Sequence, residues 1–364
     1  MTSTDAHHAR RVAAYRSASA ALGGMGEDAL RSLLDGAVPV GAGIGGQTLR
    51  VQVDGVPVFV KRLRLTDLER RPEHRRSSAN LFGLPLFSHL GLGTIGGPGF
   101  GAWRELSVHL MTTEWVLTGE HDGFPLTYHW RVLPDDGLPL PVELADVDRA
   151  VDYWGGDTAI RRRIEAVRDA TASVVLFLEH LPQTLHDWLG AQVRAGDEAV
   201  ERACAMVDSG LRDVVAFMNG RGLLHLDCHF WNVLTDGRRL YVADYGLAVS
   251  DRFALDPAEA EFVSSHGGYD RCYTAWTLVN WLVVALLGCG ADERRELVRS
   301  WAAGVTPEGV PAAVAALVAR DAPLAAAMGD FCLRFRFDGR REPFPSEELR
   351  RLDAARRLPA RAGD

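Results

Sequence analysis

His225–Asn232 reads HLDCHFWN and is followed, after a short β-prone run, by Asp244-Tyr245-Gly246; these residues decide how the chain is read. Asp227, His229 and Asn232 fall in a loop between a predicted helix and a predicted hairpin, and Asp244 falls at the end of that hairpin. Hard divalent cations take oxygen ligands, and Mg2+ is usually held by one or two carboxylates plus substrate phosphates. An acid outside the metal shell can orient a hydroxyl nucleophile and take its proton. Two acids and an asparagine brought together by one loop and one hairpin therefore predict a Mg2+ and proton-acceptor site.

Working outward, Asp197–Asn219 carries apolar residues at Val200, Cys204, Val207, Leu211, Val214, Val215 and Met218, a helical stripe that Asn219-Gly220 and Gly222 stop. Asp236-Gly237 predicts a hairpin turn after the loop. Upstream, Ser173–Leu178 (SVVLFL) reads as an apolar strand running through a turn into a helix, Phe124–Leu133 as a strand and Ala102–Leu117 as a helix. Leu49–Val60 (LRVQVDGVPVFV) holds two β-prone runs joined by Asp54-Gly55, a pair suited to the positive φ of a tight hairpin. GAGIGG (Gly41–Gly46) precedes it, and Gly41, Gly43 and Gly46 fit G-x-G-x-x-G. Glycines let backbone N–H groups come close to phosphate oxygens. Residues 62–100 and 134–170 read as insertions, and the chain beyond 270 as helices.

The length of 364 residues allows one large domain or two smaller ones. A net charge of −8 argues against a general nucleic-acid or anionic-membrane binder. No signal peptide is visible in the polar, charged first 20 residues, and the apolar run Ala275–Gly290 is short enough to predict a buried core helix. Five scattered cysteines without a CxxC pair suit reduced thiols in a cytoplasmic protein. Of 40 basic Lys and Arg residues only Lys61 is lysine. Coding bias explains why lysine is rare, but not why one remains at the end of the strand that follows the glycine cluster.

HLDCHFWN and DYG resemble the catalytic loop and the metal-binding DFG element of the protein-kinase-like superfamily, which includes protein kinases and the aminoglycoside and choline phosphotransferases. The resemblance covers 38–61, 102–132 and 173–250. It implies an α+β, two-lobed fold: a lead-in (1–30), a small β-rich lobe with two insertions (31–178), and a hinge with a larger helical lobe (179–364). It further implies an ATP- and Mg2+-dependent phosphotransferase. In that scheme Gly41, Gly43 and Gly46 cover the phosphates, and Lys61, in VFVK, contacts the α/β-phosphates. A lysine there is a compact point charge that the larger, planar arginine cannot replace. A glutamate of the 102–117 helix should pair with it; Glu114 is favoured by its distance from the next strand, with Glu105 the alternative. Backbone around Glu179–Leu181 would bind the adenine edge. Asp227 would position and deprotonate the acceptor, and Asn232 and Asp244 would hold the metal.

Departures from the pattern bear on the acceptor. Leu226 stands where many protein kinases have a phosphate-receiving arginine. His229 occurs where small-molecule phosphotransferases often have histidine and could bond the transferring phosphate or Asp227. No APE sequence follows, and Asp270, a possible anchor for the buried helix, comes soon after Asp244. These features lean towards a small-molecule alcohol as acceptor. DYGLA and the hinge pattern favour the alternative, Ser/Thr of a protein, and a third reading is a non-catalytic pseudokinase. Nucleic acid and membrane are not expected partners.

Overall fold

A computed structural model describes residues 3–43, 46–93, 95–135 and 140–356. The protein is α+β, with a small antiparallel sheet and a larger helical part. It divides into two compact units, Met1–Pro182 with Tyr241–Glu259, and Gln183–Leu240 with Ala260–Asp364. The predicted lead-in and the DYG segment thus both belong with the sheet, because each makes its contacts there.

In the first unit, α1 (Ser3–Gly24) and α2 (Glu27–Asp35) precede β1 (Val38–Gly43), β2 (Gly46–Val53) and β3 (Val56–Leu65). The short α3 (Asp67–Arg70) leads through irregular chain to α4 (Ala102–Leu117) and β4 (Thr127–Pro134). Three short helices, α5 (Val142–Ala145), α6 (Val147–Tyr153) and α7 (Thr158–Arg168), come before β5 (Ala172–Glu179). The strand order is β1-β2-β3-β5-β4. Asp54 (φ 48°) and Gly55 (φ 76°) close the β2–β3 hairpin in the left-handed region, as their types predict. Gly43 pairs with Gly46 across β1 and β2, so the glycines form a hairpin of their own, whose tip, 44–45, lies outside the described residues. Helix α1 lies against β2, β3 and β4.

Side chains alternate faces along a strand, so Phe59, Lys61, Leu63 and Leu65 share one face of β3. Leu63 and Leu65 form a core with Ala102, Trp103 and Leu106 of α4 and Val174, Leu176 and Leu178 of β5, with Phe59 and Trp130 packed against it. This apolar contact sets the height and rotation of α4 over β3.

The second unit contains β6 (Gln183–Thr184), α8 (Leu185–Ala195), α9 (Asp197–Gly220), β7 (Leu223–Leu224) and β8 (Val233–Thr235). The Asp236-Gly237 turn is a longer loop than a two-residue hairpin: Asp236 Oδ1 accepts from Arg238 N and Arg239 N, both at 2.8 Å. After α10 (Pro257–Ser265) come α11 (Tyr269–Leu287), α12 (Ala291–Ala302), α13 (Ala312–Phe337) and α14 (Ser346–Ala355). The run Ala275–Gly290 lies mainly in α11, which buries Leu278, Val279, Leu282 and Val283 and packs against α13 and α9. Among the described helices, α13 alone is long and apolar enough to cross a membrane, and α11 with α12 passes only as a pair bent by 115°. Helix α13 carries the fully buried Asp321, paired with Arg320 (2.7 Å) and Arg356 (3.5 Å).

Candidate active site

Lys61 sits on β3 opposite Thr48 and Leu176. Its Nζ lies 2.7 Å from Glu105 Oε1 and 2.8 Å from Asp244 Oδ1. The Lys61 and Glu105 side chains are 7% and 6% exposed and that of Asp244 44%, so one end of this triad reaches water. Burial works against the ammonium, but the charges of Asp244 and then Glu105 outweigh it and hold the Lys61 pKa above the usual lysine range. A buried charge left without such partners costs several kcal/mol (about 3–5 on removal of one partner).

The expectation for Glu114 is corrected: the partner is Glu105. The two are nine residues apart, two and a half turns, which places them on opposite faces of α4. The Glu105 face is the one that the Leu63–Leu65–Leu106 core turns to β3, and Glu114 is exposed. One turn on from Glu105, buried His109 brings Nε2 to 3.8 Å from Glu105 Oε1 and sets its ring edge against Tyr245, centroids 4.8 Å apart. Asp244 takes φ 63°, costly for a non-glycine residue and typical of functional sites. Gly246 follows, where an added Cβ would come to 3.4 Å from Glu105 Oε2 and 3.6 Å from Asp244 Oδ1.

Residues from the segments 62–100 and 134–170 hold α4 in place. Thr66 and Glu69 form a capping box on α3. The buried Glu69 also accepts from Ala102 N (2.7 Å) and Arg163 of α7 (2.9 Å), so residues from 62–100 and 134–170 meet at the start of α4. Gly101 (φ 131°) is required there, since a Cβ would lie 2.7 Å from Glu69 Oε1. Beside Glu105, Arg104 donates to Glu259 at 2.5 Å and to Ser78 O at 2.7 Å, both ionic side chains being 2% exposed. Phe100 N donates to Gly246 O at 3.4 Å, and the His89 ring bonds Leu247 O at 2.7 Å. The segment bearing Asp244 is therefore stitched to the helix bearing Glu105.

Gly41 O accepts from Thr48 Oγ1 at 3.0 Å, and a Cβ at Gly41 would meet that oxygen at an ordinary 3.6 Å, so packing does not demand glycine. Glu179 ends β5. Its N–H donates to Leu126 O (2.8 Å), and its carboxylate accepts from Arg11 Nε (2.8 Å), Arg11 NH2 (2.7 Å) and Leu126 N (3.1 Å). The Glu179 amide is thus committed within the protein, and Leu181 is half-buried just before the unit ends.

In the second unit, His225–Asn232 forms a compact loop. Asp227 O accepts from His229 N (2.9 Å), His229 O accepts from Asn232 N (2.8 Å), and Asn232 Nδ2 donates to Asp227 O (3.0 Å) and Oδ2 (3.3 Å). His229 Nε2 lies 3.7 Å from Asp227 Oδ1, the two side chains being 34% and 20% exposed. Leu226 takes φ 64°, a strained value for leucine. Asp270, fully buried at the start of α11, holds this turn: its carboxylate accepts from His225 N, Leu226 N and Asn219 Nδ2, each at 2.8 Å. Asp270 therefore anchors the loop as well as opening the helix.

Among the described residues, no group of three or more His, Cys, Asp or Glu side chains is arranged to hold a metal. In the first unit Asp244 offers a half-exposed carboxylate; in the second, Asn232 commits Nδ2 to Asp227 and so leaves its amide oxygen as a donor. The five cysteines are buried free thiols. Burial pushes Cys204 and Cys272 up to about 12, so they stay protonated. Sequence reasoning missed Arg104, Glu259, Glu69, Arg163, His109 and Arg11. The signal for them was weak: Arg11 and Glu179 are 168 residues apart, and Arg104 and Glu259 155. No family model matches the chain, and no curated protein matches it.

Proposed function

We propose that this protein is an ATP- and Mg2+-dependent phosphotransferase of protein-kinase-like, two-lobed architecture that moves the γ-phosphate to an alcohol. The observation that carries the reading is the lone lysine: Lys61, on the strand after a glycine hairpin, is buried with Glu105 and Asp244 at hydrogen-bond distance. A lysine held by two carboxylates is poised to exchange part of that pairing for a polyphosphate, and the half-exposed Asp244 is the partner within a ligand's reach.

In this reading, backbone N–H groups of the Gly41–Gly46 hairpin approach the phosphates, consistent with a Gly41 that packing alone does not require. Glu105 orients Lys61. Asp244 and Asn232 are the oxygen donors for Mg2+, which would neutralise phosphate charge when bound; nucleotide-bound Mg2+ needs few protein ligands. Asp227 aligns the acceptor hydroxyl and takes its proton, with its carboxylate oriented by Asn232, and His229 beside it contacts the transferring phosphate. Such a site works by positioning and charge neutralisation. A small-molecule alcohol is the favoured acceptor; protein Ser/Thr is the second reading, supported by the Asp244-Tyr245-Gly246 sequence.

Two measurements test this. ATP should raise the melting temperature in the presence of Mg2+ and do so less without it; no Mg2+-dependent shift counts against nucleotide chemistry. With γ-labelled ATP, label should pass to small alcohols. Strong labelling of a single macromolecular band from a cell lysate would favour the protein-kinase reading, and a Mg2+-dependent melting shift with no transfer to anything would favour the non-catalytic one.

A further inference from the structure

Nine tryptophans occur in the chain, and only Trp231 is exposed, at 55%. It lies inside the turn that joins Asp227 to Asn232, flanked by the bonds from His229 N to Asp227 O and from Asn232 N to His229 O. An indole is costly to leave in water when it could be buried, and this one is held rigidly where it is. Its ring stacks on His186 with centroids 4.0 Å apart and planes at 20°. Trp281 of α11 fixes His186 in turn: Nε1 donates to His186 Nδ1 at 3.0 Å, and the two rings meet edge to face at 6.0 Å and 89°. His186 N also donates to Phe230 O at 3.1 Å, and the Phe230 ring packs on Trp281 at 6.4 Å. One face of Trp231 is thus backed by a layered support running from α11 through α8, while more than half of its surface stays in solvent.

We infer that Trp231, propped by His186 and Trp281, is the residue that selects the acceptor, and that the acceptor is a cyclic alcohol, with a sugar or aryl ring that lays one apolar face on the indole. The inference rests on the reading of Asp227 as the acid that meets the acceptor. A rigid aromatic platform loses little entropy when a ring stacks on it, and the sequence puts it four residues from the acid that aligns the hydroxyl. A flexible, open-chain alcohol offers no face to match.

Protein labelled with 5-fluorotryptophan tests this, the Trp231 19F resonance being assigned by its loss in Trp231→Phe. The resonance should move saturably with methyl β-D-glucopyranoside or 2-phenylethanol, and should stay put with glycerol or an Ala-Ser-Ala peptide. No movement with either ring compound, or equal movement with glycerol or the peptide, overturns the inference. In turnover, Trp231→Ala should raise the KM of a cyclic acceptor about tenfold, without a matching rise for ATP, and Trp231→Phe should restore most of it. Movement of the resonance in a protein that transfers no phosphate would keep the platform and sink the phosphotransferase reading. Transfer to a cyclic alcohol with the same acceptor KM in Trp231→Ala would do the reverse.

Discussion

The lysine triad of the first unit and the acid loop of the second treat their charges in opposite ways. Lys61 and Glu105 are almost out of water, and their neighbours Arg104 and Glu259 form a second buried pair next to them. Asp227 and His229 keep a fifth to a third of their surface in solvent and are shaped by backbone bonds and a neighbouring amide. In the first case the charges are part of what holds α4 to the sheet. In the second, the rigidity comes from Asp270 beneath the loop, which holds the backbone of His225 and Leu226 without the Asp227 carboxylate. Under the proposed phosphotransferase reading, stability and chemistry are therefore entangled at Lys61 and separable at Asp227.

The largest effect should follow from breaking the entangled half. Lys61→Met leaves Glu105 buried without its cation and should cost about 3–5 kcal/mol of unfolding free energy, measured by urea denaturation, together with loss of turnover. Lys61→Arg keeps the charge but overpacks the site; it should cost about 1–3 kcal/mol and still lose most activity. Wild-type turnover in Lys61→Arg would remove the phosphate role from the lone lysine. Asp227→Asn is the converse. It should lower phosphoryl transfer by about 10²–10⁴-fold and leave the unfolding free energy within about 0.5 kcal/mol of wild type, because the backbone bonds of the loop remain. A large loss of stability in Asp227→Asn would erase the contrast between the halves.

Acid should strain the second unit through a buried histidine to which the proposed chemistry assigns no role. His266, 9% exposed, stacks on Phe262 at 3.9 Å and on Phe344 at 4.9 Å, and Nδ1 donates to Phe262 O at 2.9 Å. Burial lowers its pKa from 6.5 to about 4, with the Phe262 bond opposing. The unfolded chain then binds the extra proton, so this histidine's contribution is complete above about pH 6.5 and is lost as pH falls towards 4, by up to about 3 kcal/mol. Unfolding measured from pH 7 to 4 should be flatter for His266→Phe than for wild type. An identical slope would mean that His266 takes no part in the acid response.

Much of the fold was legible because its determinants are local. Ala102–Leu117 and Asp54-Gly55 declare themselves by periodicity and by turn chemistry, and SVVLFL is too apolar to be anything but core. The loop His225–Asn232 was legible as a compact polar turn because its residues cluster within eight positions. What escaped was set by contacts distant in sequence: Asp270 under Leu226, Glu259 against Arg104, Arg11 on Glu179. Helix α1, read as a lead-in, earns its place through Arg11, whose guanidinium also reaches Asp122 O and Phe124 O and lies over Tyr241. None of these pairings leaves a mark in either partner's own neighbourhood.

Glu105 and Glu114 show the same limit at its smallest scale. Helix α4 is apolar nearly all round, burying Trp103, Leu106, Val108, Met111, Trp115 and Val116 among others, so no polar stripe identifies the solvent face. Leu110, one turn before Glu114, is 42% exposed, which disguises that face further. Only the docking of Leu106 on Leu63 and Leu65 breaks the tie. The two glutamates should respond accordingly. Glu105→Gln removes one of two charges from Lys61 and should cost about 2 kcal/mol, with a fall in turnover that reflects a mispositioned lysine. Glu114→Gln should change stability by no more than about 0.5 kcal/mol and leave turnover alone. Equal effects of the two substitutions, in denaturation and in transfer from labelled ATP, would mean that α4 does not hold Glu105 over Lys61 in solution.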